Sequence, residues 1–347
     1  MKPSGAGARH PAEISSNPRA PAAKSLAANS VSRYGQGQIQ NLGVNVMLKA
    51  KLGISPICWW NDDLVELSDD VSLEECLRQA SVAGYTGMET GRRFPMNMVE
   101  LGPILDAHKM SVCGGWFSGT VLEGDLEENK DRIRAQMDLF IAAKAPCIVY
   151  GEVARSVQGD RSKPLSTKPK LDEAQIAAYA RNMTRFGEWC AEQGMPLSYH
   201  HHMAAVIETE PELDLFMKHS GAGIPLLFDA GHLAFAGGDC LRAIDNHHAR
   251  ITHVHTKNVR MAVINALDRT KESFLDAVVK GAFTVPGDGS LDFEAIVKRL
   301  AAHGYEGWFV VEAEQDPKKA PPLEWSTKGN KELHRVMALA GYQVVAA

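Results

Sequence analysis

The chain has 347 residues, 45% hydrophobic and 23% charged, enough apolar content to bury a sizeable core, which excludes intrinsic disorder for most of its length. Acidic residues exceed basic ones, 42 against 37, for a formal charge of −5, and that balance argues against a nucleic-acid partner bound by phosphate neutralisation. The six cysteines form no CxxC pair, as expected of reduced thiols, and no apolar run reaches the roughly 18 residues of a membrane span, so a cytoplasmic location without a membrane partner is expected.

Residues 1–46 are rich in Ala, Pro, Ser and Gly, carry Glu13 as their one acid and show no periodic apolar pattern. They read as a disordered N-terminal extension, with residues 47–347 as a single folded domain. Short apolar runs then recur at 52–58, 86–90, 111–116, 146–151, 196–200, 225–229, 251–255 and 307–312, each suited to a buried strand. Segments of helical spacing lie between them at 72–83, 129–143, 173–193, 210–219 and 292–303. Ser72 stands at capping-box distance from Glu75, and Gly84, Gly194 and Gly304 follow the last helical turns.

Alternating strands and helices of this number predict an α/β protein that closes into a (β/α)8 TIM barrel or opens into a doubly wound sheet. The positions of the polar residues favour the barrel. Glu89, Trp116, Glu152, His200 to His202, Asp229, His255 and Glu312 all fall at the carboxyl ends of predicted strands, and only a closed barrel brings every such end to one mouth. No GxGxxG or GxxxxGK[ST] loop follows the first strand.

Side chains two apart on a strand share a face, so His200 with His202, His253 with His255 and Lys257, and Glu312 with Glu314 each converge. Together with Asp229 they offer mixed imidazole and carboxylate donors, which suit manganese, cobalt, zinc or iron better than calcium. Simpler readings stand beside this one. Asp229 alone reads as a helix cap, His253 as a structural core residue, and Lys257 as an ion-pair partner of Glu312 or Glu314.

The segments around 56–63, 199–203, 228–232, 253–257 and 312–316 resemble the xylose-isomerase-like barrel family, and within it the dehydratases of myo-inositol catabolism. The resemblance runs from Met47 to Tyr342. It implies a hydro-lyase that removes water from 2-keto-myo-inositol to give a trihydroxycyclohexane-1,2-dione through a metal-stabilised enediolate. A sugar isomerase or epimerase using the same chemistry is the alternative. It further implies His200, Asp229, His255 and Glu312 as metal ligands, with Glu152 or His202 as replacements for His200, and manganese or cobalt as the metal, with a dependence on glutathione. The family's substrate-contacting histidine falls at His232, and Asn61, Glu89 and Trp116 are expected to contact substrate beside it. The chemistry needs a base and an acid, for which Glu89, Glu152, His202, His232 and Lys257 are the candidates; the preferred assignment makes Glu152 or His202 the base and Lys257 the polarising or protonating group. The substrate is then a small polyol or cyclitol, and homo-oligomerisation is left open.

Overall fold

A computed structural model describes residues 47–67 and 71–347; the expected disordered extension at 1–46 lies outside the described residues. Eight parallel strands run in chain order around a barrel: β1 (Leu48–Ile54), β2 (Gly87–Thr90), β3 (Ser111–Gly119), β4 (Ile148–Glu152), β5 (Leu197–His200), β6 (Leu226–Asp229), β7 (Ile251–His255) and β8 (Gly307–Val311). Pairing of β1 with β8, from Ala50 opposite Gly307 to Ile54 opposite Val311, closes the ring. The expected barrel is therefore the fold. A short strand at Tyr342–Val344 adds to the outer start of β1.

The helices are α1 (Leu73–Val82), α2 (Met98–His108), α3 (Leu126–Ala143), α4 (Glu173–Glu192), α5 (Glu210–His219), α6 (Ala230–Phe235), α7 (Cys240–His247), α8 (Met261–Asn265), α9 (Phe274–Val279), α10 (Phe293–Ala302) and α11 (Pro322–Leu339). Side-chain caps start most of them. Ser72 accepts from the Glu75 amide at 3.2 Å, and Asp172 forms a capping box with Gln175. β1 begins four residues earlier than its apolar run suggests, because Lys49 and Lys51 alternate with helix-facing Ala50 and Leu52. Lys51 turns inward, with its ammonium 5.4 Å from the Trp308 ring. Pro56 ends the strand and opens a 3-10 turn, so Cys58, Trp59 and Trp60 belong to the loop after β1.

The main core lies between strands and helices, and a second small cluster of Cys113, Trp308 and Val310 fills the inside of the barrel. Gly53 and Gly87 leave the room that the Trp308 ring occupies. Two bulges re-aim side chains above this floor. One inserts Cys113 between Val112 and Gly114 opposite β2, and the other inserts Thr252 between Ile251 and His253 opposite β6.

Candidate active site

The inward parity of four strand ends brings His200, Asp229, His255 and Glu312 together, with one donor atom from each lying within 4.8 Å of the others. Asp229 Oδ2 is 3.4 Å from both His200 Nε2 and His255 Nδ1, and Glu312 Oε2 is 3.0 Å from His255 Nδ1. The side chains are buried or nearly so, yet His200 Nδ1 and Nε2, Asp229 Oδ2 and His255 Nδ1 all lack a hydrogen bond of acceptable geometry, and Glu312 Oε2 is met by ion-pair contacts from His255 and Lys257. Leaving buried polar atoms unsatisfied costs about 1 to 3 kcal/mol each, so their concentration at one point calls for a ligand that takes lone pairs. Two imidazole nitrogens and two carboxylate oxygens form the donor set of a divalent transition metal, and the residues fit such an ion.

Asp229 caps α6: its Oδ1 accepts from the His232 amide at 2.8 Å, while Oδ2 faces the cluster. The capping expectation therefore holds, and it does not compete with the ligand expectation, because the two use different oxygens.

Lys257 is fully buried beside this group. Its ammonium lies 2.8 Å from Glu312 Oε2, 2.7 Å from Glu314 Oε1, 2.7 Å from His232 Nε2 and 3.9 Å from Asp229 Oδ2. Burial opposes its charge, but the Glu312 and Glu314 carboxylates outweigh that and hold it protonated. The ion pair expected as the simpler reading is therefore present, to both acids. Glu314, expected from the sequence as one of two candidate partners of Lys257, is buried, and burial pushes its carboxyl up to about 7 against the pull of Lys257. Its placement follows from the shared parity with Glu312.

His202 leaves β5 on the same face as His200 and packs against His232, with ring centroids 3.8 Å apart. Its Nδ1 lies 2.8 Å from the Met203 carbonyl and donates there, which leaves Nε2 with its lone pair. Burial, then the charges on His200 and Lys257, lower its pKa well below the ordinary imidazole value. The loop that holds it is tied internally: the His202 amide donates to the Ile207 carbonyl at 3.1 Å, and the Ala204 amide to Glu208 Oε2 at 2.6 Å.

Trp116 forms a wall, in edge contact with His200 and His202 at 5.6 and 5.7 Å. Gly151 opposite it carries no side chain because a Cβ there would lie 1.8 Å from the indole. Trp59 and Trp60, by contrast, are buried in the main core.

Three expected positions are placed differently. Glu152 does not reach the mouth. It follows Tyr150, which packs outward on Phe186 of α4, so Glu152 shares the helix-facing parity while Gly151 takes the inward position opposite His200. Its oxygens accept from Tyr150 Oη at 2.9 Å, the Leu122 amide at 3.0 Å and the Ala154 amide at 2.9 Å. That removes it both as base and as replacement ligand. Glu89 lies beneath the cluster instead of lining the mouth, because β2 ends lower in the barrel: Glu89 pairs with Gly114, two residues before Trp116. Its Oε1 accepts from His255 Nε2 at 3.0 Å and His253 Nε2 at 3.3 Å. Asn61 turns its Oδ1 onto the Asp63 and Leu64 amides at 2.8 and 3.2 Å, shaping the loop after β1, and leaves its buried Nδ2 unpaired.

Among the described residues no helix is long and apolar enough to cross a membrane. The Xylose isomerase-like TIM barrel family model matches residues 77–334. The chain is 40% identical over 305 residues to the rhizopine catabolism protein MocC of Rhizobium meliloti, covering 88% of this chain and 94% of that protein. It is 40% identical over 293 residues to the inosose dehydratase of Geobacillus thermodenitrificans, covering 84% and 98%, and 39% identical over 283 residues to that of Clostridium perfringens, covering 81% and 95%. Among solved structures, an L-ribulose 3-epimerase superposes with a TM-score of 0.59 at 16% identity, covering 84% of this chain and 95% of that one. The probable 3-DHS dehydratase AsbF of Bacillus anthracis gives 0.58 at 15%, covering 82% and 98%. These two likenesses concern the fold alone. With the family model matched across most of the barrel and relatives of this identity spanning nearly their full length, the chain belongs to the xylose isomerase-like TIM barrel family.

Proposed function

We propose that the chain is a metal-dependent inosose dehydratase, converting 2-keto-myo-inositol into a trihydroxycyclohexane-1,2-dione and water. The observation that carries this reading is the convergence of donor atoms from His200, Asp229, His255 and Glu312, those of the first three without a hydrogen bond, beside a buried ammonium and a neutral imidazole. The inosose dehydratase names of the relatives above point to the same substrate. The four residues hold a divalent ion, manganese or cobalt in this reading, which when bound supplies Lewis-acid polarisation of a ketone oxygen.

The protein's own groups supply the proton transfers. His202 Nε2 takes the proton from the carbon beside the ketone, and the C–H electron pair becomes a C=C bond as the hydroxyl on the next carbon departs. Lys257 donates the proton that lets that hydroxyl leave as water, with Glu312, Glu314 and His232 fixing the direction of its ammonium. The enol so formed ketonises to the dione. Trp116 offers an apolar face to the ring's C–H edge, and His232 is the remaining candidate for a hydroxyl contact. Glutathione, implied by the resemblance, is given no residue in this reading. Six free, buried cysteines suit a reducing cytoplasm.

The test is purified protein supplied with manganese or cobalt and 2-keto-myo-inositol. Dione absorbance should grow in, and His202→Asn and Lys257→Met should each lower turnover by about 10²- to 10⁴-fold while retaining metal. Formation of an epimeric ketose with no dione overturns the dehydratase reading in favour of an isomerase or epimerase. Full activity in His202→Asn removes it as the base.

A further inference from the structure

Glu89 is buried one layer below the four-residue cluster, and no step of the proposed reaction uses it. Gly114 on the neighbouring strand makes room for it there. The bulge at Cys113 sets Gly114 opposite Glu89; Gly114 holds φ +153, a conformation that side-chain-bearing residues rarely adopt; and a Cβ on Gly114 would stand 3.2 Å from Glu89 Oε1 and 3.5 Å from His253 Nε2. The space so created lets one carboxylate oxygen receive two imidazole N–H groups, from His255 Nε2 at 3.0 Å and His253 Nε2 at 3.3 Å.

A neutral imidazole that donates from Nε2 presents Nδ1 as its lone-pair nitrogen, and the neutral ring is the form in which a histidine holds a metal. In His255 that nitrogen is the atom aimed at Asp229 Oδ2 and Glu312 Oε2. His253 shares the carboxylate from the floor side, and its own Nδ1 has no hydrogen-bond partner. His253 therefore helps to fix Glu89 from below without entering the cluster. We infer that Glu89 is a positioning residue: from the barrel interior it fixes the ring orientation and tautomer of His255, so that His255 presents Nδ1 to a divalent metal. The inference rests on the metal reading of His200, Asp229, His255 and Glu312, and it replaces the substrate-contact role expected for Glu89 from sequence.

The test has two arms. In the first, manganese affinity is measured by chelator competition on wild-type protein and on Glu89→Gln, which keeps the shape and loses the charge. The expected loss is about 10- to 100-fold in manganese affinity, with most of the turnover on 2-keto-myo-inositol recovered at saturating manganese. Unchanged manganese affinity overturns the inference; if the KM for 2-keto-myo-inositol rises at the same time, Glu89 is a substrate contact. In the second arm, wild-type protein carrying ¹⁵N-labelled histidine is loaded with zinc, so the answer does not depend on a variant that folds. His255 should then show a protonated Nε2 and a coordinated Nδ1, and coordination through Nε2 overturns the inference. Wild-type protein that binds manganese but forms no dione fails the dehydratase reading and leaves this one standing. Wild-type protein that binds neither ion removes the metal reading itself.

Discussion

At the scale of single residues the site turns on which way a carboxylate at a strand end faces. Glu152 is the last residue of β4 and Glu312 follows β8, and the alternation sends Glu152 toward the helices and Glu312 into the mouth. Glu152 is buried against the helix layer, and burial pushes its carboxyl up to about 7 from 4.5, against the opposing amides of Ala154 and Leu122 and the Tyr150 hydroxyl. The fold therefore favours the protonated acid. Its contribution to stability is fully present below pH 4.5 and is lost as the pH rises through about 7, an upper bound of about 3 kcal/mol. Glu152→Gln keeps a neutral group in place, so the fall in melting temperature between pH 5 and pH 9 should be smaller in this variant than in wild type. Equal pH slopes in the two proteins would mean that Glu152 is ionised in the fold. In either case turnover at pH 7 should stay within a few-fold of wild type, since Glu152 touches none of the groups that move protons.

At the scale of elements, α6 shows how a six-residue helix organises the chemistry. Asp229 caps it, His232 rides on its first turn, and Gly231 between them leaves a channel for the stem of Lys257. A Cβ at Gly231 would meet Lys257 Cγ at 2.5 Å and Cβ at 2.8 Å. Gly231→Ala should therefore displace the ammonium from Glu314 and His232 and lower turnover by about 10- to 100-fold, while leaving bound manganese unchanged. Loss of the metal in this variant would show that α6 and the ligand set move as one unit. Neither effect is visible from the Asp-Ala-Gly-His string alone, because the crowding comes from Lys257, 26 positions away. What the sequence carries well is the repeat. Strand ends at Asp229 and His255 and the span of α5 match the apolar and capping pattern residue for residue. Where Gly102 and Pro103 interrupt the pattern, α2 escapes it, and where Lys49 and Lys51 point inward, the start of β1 is missed. Height in the barrel is equally hidden. Parity assigns Glu89 to the interior, but only the stagger of the closed ring places it below His255 instead of beside the substrate.

For the whole molecule, the floor matters as much as the mouth. The small cluster of Cys113, Trp308 and Val310 is separate from the shell core, so the strand ends that carry the four-residue cluster stand on a plug packed from within the ring. Gly53 and Gly87 are spacers for that plug: a Cβ on Gly87 would lie 2.4 Å from two atoms of the Trp308 ring. Gly87→Ala forces the indole aside, and overpacking of this kind costs about 1 to 3 kcal/mol. For a domain of this size that corresponds to a drop of roughly 2 to 10 °C in melting temperature. Thermal denaturation of this variant beside wild type tests the plug directly. If Gly87→Ala is as stable as wild type, the ring interior is loose enough to absorb a methyl group, and the strand ends above it are positioned by the helix layer alone.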